Sequence, residues 1–169
     1  LIGDYSEIEQ WIADGRVDCG FLCPPIPSGL DCTLLERDEL AVVLPVGHRL
    51  AELKAVPLEE LCTEPFMLLE RGARGEVSEL FGKRGLRPEV RFKTLDDYAV
   101  MSMVECGLGV AILPSLILKR IPYRLEIRSL AEPAYRDICF VLRDRETAPL
   151  AVKRFIDYLD YRRDGYANK

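Results

Sequence analysis

Apolar positions crowd most densely between Thr94 and Pro114, TLDDYAVMSMVECGLGVAILP. The pattern predicts a helix, a glycine stop and a buried strand. Thr94 is placed to cap the helix, with Asp97 at capping-box distance. Asp96 and Asp97 bring negative charge to the positive end of the helix dipole. From Leu95 to Cys106 the turns are apolar on nearly every side, which predicts a buried helix. Gly107 suits the left-handed residue that ends a helix. Leu108 to Leu113 is too short for a helix before Pro114 and reads as an interior strand. Gly109 within it predicts that another backbone passes close by.

The remaining segments are arranged around this unit. Leu1 and Ile2 read as the end of a strand, and Ser6 as the cap of a helix over Glu7 to Ala13 that buries Ile8, Trp11 and Ile12. Gly15 stops that helix, and Val17 to Leu22 is the next strand. Cys32 to Leu44 is one long strand, or two short ones broken near Arg37 and Asp38. Pro45, Gly47 and Pro57 mark an irregular stretch before a short helix at Leu58 to Leu61. Phe66 to Leu69 is a strand, RGARG a loop, Glu76 to Arg84 a helix burying Val77, Leu80 and Phe81, and Glu89 to Lys93 a strand with Val90 and Phe92 on one face. Strand and helix thus alternate from Phe66 to Leu113, which predicts a parallel sheet with right-handed crossovers. Pro114 opens a short helical piece reaching Arg120, and Leu125 to Ile127 and Asp137 to Leu142 are further strands. Thr147 and Pro149 lead into a last helix, about Leu150 to Tyr161, that buries Phe155, Ile156 and Leu159, before a frayed tail.

Composition narrows the function classes. The 169 residues are 49% hydrophobic and 30% charged, with a net charge of −5. That length supports one domain or two small lobes with proper cores. An acidic balance argues against nucleic-acid binding by this segment, because phosphate neutralisation needs clustered Lys and Arg. No apolar run reaches membrane-spanning length, and no signal peptide is visible. The six cysteines, Cys19, Cys23, Cys32, Cys62, Cys106 and Cys139, include no CxxC pair, and most sit in apolar runs. They read as reduced, buried thiols of a cytosolic protein. With a single histidine, a zinc site has almost no support. No cofactor motif is present.

Several stretches, in this order, carry a resemblance: IADGRVDCGFL, ERDELAVVLPVGHRLA, LEELCTEPFMLLE and ECGLGVAILP. Together they resemble the effector-binding domain of LysR-type transcriptional regulators, over the chain to about Leu159. Arg49 departs from a proline frequent there. The resemblance implies an α/β, two-lobe, periplasmic-binding-protein-like (type 2) fold. Each lobe would be a mostly parallel sheet flanked by helices, and two crossing strands would join them. Lobe I would hold residues 1–44 and 142–169, and lobe II residues 45–141. It also implies that the family's N-terminal winged helix-turn-helix and the first strand and helix of lobe I lie outside this sequence, so the intact protein is expected to be longer. A cytoplasmic bacterial regulator, homodimeric or homotetrameric, is implied, touching DNA only through that other domain.

In open α/β sheets, ligands bind beyond the carboxyl ends of parallel strands. Here those ends put Tyr5, Ser6, Cys23 and Pro24 in one lobe and Arg71, Gly72, Ala73, Arg74, Thr94, Leu95 and Asp96 in the other as candidate effector contacts in an interlobe cleft. The RGARG loop is the most informative. Small residues let backbone approach a ligand, free N–H groups at the helix start attract anions, and an arginine can fork onto a carboxylate. The alternative is a solvated loop with outward arginines. Thr94 and Ser6 are at least as well explained as caps, and His48 as a structural imidazole in a glycine turn. A redox role for Cys23 would need a partner, which the sequence does not supply. The best reading is therefore a module that senses a small anionic effector. A free solute-binding protein for a small carboxylate would need an export signal. An enzyme on the same fold would need a general acid or base, and no catalytic or metal-binding set can be assembled.

Overall fold

The computed structural model describes residues 1–70 and 75–166, with side chains up to residue 159. The chain forms two compact units: Leu1–Arg37 with Asp137–Lys169, and Asp38–Arg136. The divisions fall at Arg37/Asp38 and Arg136/Asp137, several residues from the expected 44/45 and 141/142. Two strands run through them: β2 (Asp31–Pro45) and β8 (Tyr135–Leu142) each begin in one unit and end in the other.

The second unit contains the remaining strands β3 (Ala55–Val56), β4 (Pro65–Leu69), β5 (Glu89–Thr94), β6 (Val110–Pro114) and β7 (Leu125–Leu130). Its helices are α2 (Leu58–Leu61), α3 (Glu76–Gly82), α4 (Asp97–Glu105) and α5 (Ser115–Leu118). β4 pairs in parallel with β5 and β6, so the predicted alternation from Phe66 to Leu113 does build parallel neighbours. β2 pairs antiparallel with β6 on one side and β7 on the other, and β3 runs parallel to β7. The sheet is mixed, in the order β3-β7-β2-β6-β4-β5. Its central strands are apolar on both faces, as strands covered on both sides must be. Leu40, Val42, Leu44, Phe66, Leu68, Val110 and Ile112 join one core with Val77 and Phe81 of α3. Ala41, Val43, Met67, Ala111 and Leu113 join the other, with Val100, Met101 and Val104 of α4. Strand β5 is the edge. Val90 and Phe92 are both exposed, and Glu89, Arg91 and Lys93 charge the rim against further pairing.

Several expectations are corrected here. Helix α4 is not apolar all round: Val100, Met101 and Val104 are buried, whereas Leu95 before it and Tyr98 are more than half exposed. Its cap is Asp96, whose carboxylate accepts from the backbone N–H of Tyr98 and Ala99. Thr94 cannot serve, because it still belongs to the β5 ladder, paired with Leu69. The stretch around Arg49 contains a 3-10 turn, Arg49–Glu52, which the glycine and proline signals concealed.

The first unit holds α1 (Tyr5–Ala13), β1 (Cys19–Leu22) and α6 (Leu150–Tyr166) with its parts of β2 and β8. Leu1 and Ile2 form no strand, and β1 pairs antiparallel with β8. Asp4, not Ser6, caps α1. Its side chain accepts from Glu7 N–H at 2.9 Å while Glu7 accepts from Asp4 N–H at 2.8 Å, a complete capping box. The carboxylate pair outcompetes the hydroxyl two positions later. Of the three residues expected to be buried on α1, only Ile12 is fully so. Cys139 and Val141 of β8 pack with Ile12 and Leu22, while Phe140 and Leu142 pack with Val152 and Ile156 of α6. Helix α6 runs five residues beyond the predicted end at Tyr161, and Phe155 is 38% exposed.

Candidate functional site

In the second unit the carboxyl ends of β4, β5 and β6 each lead into a helix. Each of those helices begins on a carboxylate supplied by the protein. After β4 comes Glu70, only 8% exposed. Its backbone N–H donates to Thr94 O at 3.1 Å, tying the ends of β4 and β5 together. Its carboxylate accepts from the N–H of Ser78 at 2.7 Å and from the Ser78 hydroxyl at 2.5 Å, inside the first turn of α3. A Cβ on Gly75 would lie 2.0 Å from the Glu70 carboxyl carbon, so any side chain there must displace the carboxylate from its place on Ser78. After β5, Asp96 caps α4. After β6, Asp38 of β2 accepts from the N–H of Leu116 at 2.9 Å at the start of α5. Carboxylates at all three positions suit the helix dipole.

Glu70 thus takes one of the N–H groups that α3 was expected to offer to an anion, that of Ser78, and places a negative charge beside the rest. Arg71, Gly72, Ala73 and Arg74 lie outside the described residues. Thr94 stands at the end of β5, where its hydroxyl accepts from Asp96 N–H at 3.2 Å and retains a proton to donate. Leu95 is exposed beside it. Thr94, Leu95 and Asp96 are therefore brought together with Glu70, which sequence reasoning did not single out. Its signal is legible in retrospect: a lone acid between an apolar strand and a glycine-rich turn.

In the first unit Tyr5 opens α1, and its hydroxyl donates to Cys23 Sγ at 3.1 Å. Cys23 is 6% exposed, immediately past β1, and Pro24 after it is exposed. Tyr5, Cys23 and Pro24 are thus neighbours. Ser6 is not among them. It lines a separate open groove of about 600 Å³ between α1 and the 27–30 loop, shared with Glu9, Gln10 and Arg143. His48 has the structural role expected of it. Its Nδ1 accepts from Leu50 N–H, and its Nε2 lies 3.5 Å from Glu64. Arg49, where the resemblance departs, bonds Glu60, Thr63 and Glu64 at 2.7–2.9 Å. The pair clamps the 3-10 turn onto α2 and the turn after it.

The thiols are less uniform than their apolar surroundings suggested: Cys32 and Cys106 are exposed. Cys139 is 3% exposed, and its thiol is pushed up to about 12 by burial, then by a hydrogen bond with Cys32, then by the negative charge that Cys32, Cys23 and Asp137 bring near. A raised pKa leaves its stabilising contribution whole below the ordinary thiol value of 9.0. The contribution is lost as pH climbs from there through about 12, because the unfolded chain ionises first. Urea unfolding is therefore expected to lose midpoint between pH 8 and 10.5 more steeply in the wild type than in Cys139→Ala. Equal slopes would exclude this thiol as a source. Among the described residues no group of His, Cys, Asp and Glu is arranged to hold a metal ion, and no helix is long and apolar enough to cross a membrane.

Comparison with known proteins agrees with this geometry. The family pattern described as LysR substrate binding domain matches residues 1–163. The chain is 29% identical over 157 residues to the uncharacterized HTH-type transcriptional regulator YvbU of Bacillus subtilis, covering 92% of this chain and 53% of that protein. The crystal structure of HinK, a LysR family transcriptional regulator from Pseudomonas aeruginosa, superposes with a TM-score of 0.79 at 27% identity, covering 94% of this chain and 58% of that one. The BenM effector binding domain with its effector benzoate superposes with a TM-score of 0.82 at 20% identity, covering 99% and 78%. The fold is therefore the α/β, type 2 periplasmic-binding-protein-like fold of such domains. The chain spans about half the length of the curated relatives it matches. It belongs to the LysR substrate-binding domain family.

Proposed function

We propose that this chain is the effector-sensing part of a LysR-type transcriptional regulator, and that it holds a small carboxylate through side chains at its strand ends. The family match over residues 1–163 carries the reading. Benzoate, named with the BenM domain, is a carboxylate. Because Glu70, Asp96 and Asp38 already bring negative charge and an acceptor to the helix starts of the second unit, attraction for an anion is assigned to Arg71, Arg74 and the Thr94 hydroxyl proton. In the first unit Tyr5, Cys23 and Pro24 remain candidate contacts, and Ser6 is a weaker one because of its separate groove. A role in binding rather than catalysis is supported by the engagement of these carboxylates as caps and of the His48 ring with Leu50 and Glu64. The DNA-binding output, a homo-oligomeric state and a cytoplasmic setting would follow from a regulator of this family.

A thermal-shift screen of carboxylic acids, amino acids and inorganic anions tests the reading. A true effector at one hundred times its dissociation constant adds about 2.7 kcal/mol to stability. Calorimetry with the best carboxylate should then show at least a tenfold loss of affinity in the Arg71→Ala/Arg74→Ala double variant and a smaller loss in Thr94→Val. Unchanged affinity in the double variant would reject the anion contacts. Turnover of a hit by the purified chain would reject the sensing role.

A further inference from the structure

The groove between α1 and the 27–30 loop follows one side of the helix. Ser6, Glu9, Gln10 and Ala13 line it at the i, i+3, i+4, i+7 spacing that places residues on a single face. Arg143, the residue after β8, lines it as well and lies against Gly15, just beyond the end of α1. A Cβ on Gly15 would lie 3.0 Å from Arg143 Nη1, so the glycine gives the guanidinium a close seat. No basic residue stands in the last turn of α1, and the carbonyl end of the helix dipole favours a cation at that seat. Arg49, Arg84, Arg128 and Arg136 each pair with a carboxylate. Among the described residues Arg143 has neither an ion-pair nor a hydrogen-bond partner. The other polar groups of the groove are mostly acceptors. Glu9 brings a carboxylate. Gln10 donates its amide NH₂ to Asp14 at 2.8 Å, which leaves its oxygen to accept.

We propose that this groove is a further small-molecule site of the chain, apart from the strand-end contacts, and that it takes an α-amino acid as its zwitterion. Its volume of about 600 Å³ holds a molecule of that size with room to spare. The Arg143 guanidinium forks onto the carboxylate, a geometry that its planar donors match. The ammonium group donates to the Glu9 carboxylate and the Gln10 oxygen, one helical turn back from Arg143's end of the wall. The hydroxyls of Ser6 and Ser28 serve a polar ligand side chain, since each can donate or accept. Selectivity comes from what other ligands leave unmatched. A simple monocarboxylate brings no donor for Glu9 and Gln10, and a dianion sets a second negative charge beside Glu9. None of these residues belongs to the 71–74 loop, so the site stands or falls separately from the carboxylate reading of the strand ends.

Nitrogen–proton correlation spectra of the whole chain, titrated to millimolar levels with each proteinogenic L-amino acid, test the proposal. At least one amino acid should move the backbone amides of Gln10, Ser28 and Gly29 along a saturating curve, and acetate and ethylamine should move them far less. Arg143→Ala, a change at an exposed position, should weaken that amino acid about tenfold or more. Arg143→Lys should weaken it less than alanine does, because an ammonium keeps the charge and loses the fork. Glu9→Gln should narrow the preference for the amino acid over acetate. The Arg71→Ala/Arg74→Ala variant should leave this binding unchanged, whatever it does to a carboxylate at the strand ends. Saturating shifts with no amino acid, equal shifts with acetate, or affinity untouched by Arg143→Ala would each overturn the proposal. So would loss of the amino acid in the Arg71/Arg74 variant, which would place it at the strand ends.

Discussion

Replacing Asp38 with alanine is expected to destabilise the second unit by about 3 kcal/mol, the loss typical of breaking a buried ion pair from one side. Asp38 is 2% exposed and accepts three hydrogen bonds: one from Leu116 N–H at 2.9 Å, and a fork from Arg136 Nε and Nη2 at 3.1 and 2.9 Å. Alanine leaves a guanidinium and a helix-start N–H without acceptors, and an unmade buried hydrogen bond costs more than a made one contributes. Asparagine should be nearly as damaging. It has one oxygen for two sets of donors and turns an amide NH₂ toward one of them. The adjacent pair, Arg37 with Asp137 at 3.6 Å, supplies the control. Arg37 there is exposed and Asp137 only partly buried, so Arg37→Ala should change stability by less than about 1 kcal/mol. Denaturant midpoints for the two alanine variants decide the matter. Equal effects would mean that burial is not what makes the Asp38 pair matter.

The two pairs use neighbouring residues on the strands that run through both units, Arg37-Asp38 on β2 and Arg136-Asp137 on β8. Successive side chains of a strand point to opposite faces, so one pair of each strand is sealed and the other is open. Both strands read Arg then Asp in chain order, and the pairing sets Arg37 against Asp137 and Asp38 against Arg136. Sliding β8 by one residue would oppose like charges as well as misplace the apolar alternation from Cys139 to Leu142, and these penalties reinforce each other. The charge pattern thus states a register that the apolar pattern alone states less firmly.

Residues close in sequence were legible, and residues joined over a distance were not. The strands β4, β5 and β6 and the helices between them follow from local periodicity and glycine stops, and the Gly107 stop is real, with φ +73°. Asp38 sat in ERDEL and read as a break in a strand, because its partner Arg136 is 98 residues away. The strand is in fact unbroken from Asp31 to Pro45, the first of the two readings, and Arg37/Asp38 is instead where the units divide. Glu70 was overlooked for the same reason, since its partner Ser78 lies across a loop. Where two local candidates competed, the carboxylate won over the hydroxyl: Asp4 over Ser6, and Asp96 over Thr94. A charged acceptor gains from the helix dipole as well as from the hydrogen bond.

The largest loss from a single added carbon is expected at Gly109. A Cβ there would lie 2.2 Å from the carbonyl oxygen of Pro65 and 2.7 Å from Met67 Cε. The obstacle is backbone, and it belongs to the neighbouring strand: Phe66 pairs with Val110, and Met67 with Ala111. Alanine must therefore push β6 away from β4, in a sheet packed on both faces, at a cost of about 3 kcal/mol or more. Gly107, two residues earlier, is retained for a different reason. Nothing lies within 4 Å of its missing Cβ, but its φ is +73°. Alanine at that position pays only for the left-handed backbone, about 1–2 kcal/mol. Thermal or urea unfolding of the two alanine variants should separate them clearly, with Gly109→Ala also losing near-native protection of the β4 and β6 amides from hydrogen exchange. If Gly107→Ala proved the more damaging, the close contact of β6 with β4 would be wrong, and with it the placement of the strand ends that carry the candidate site.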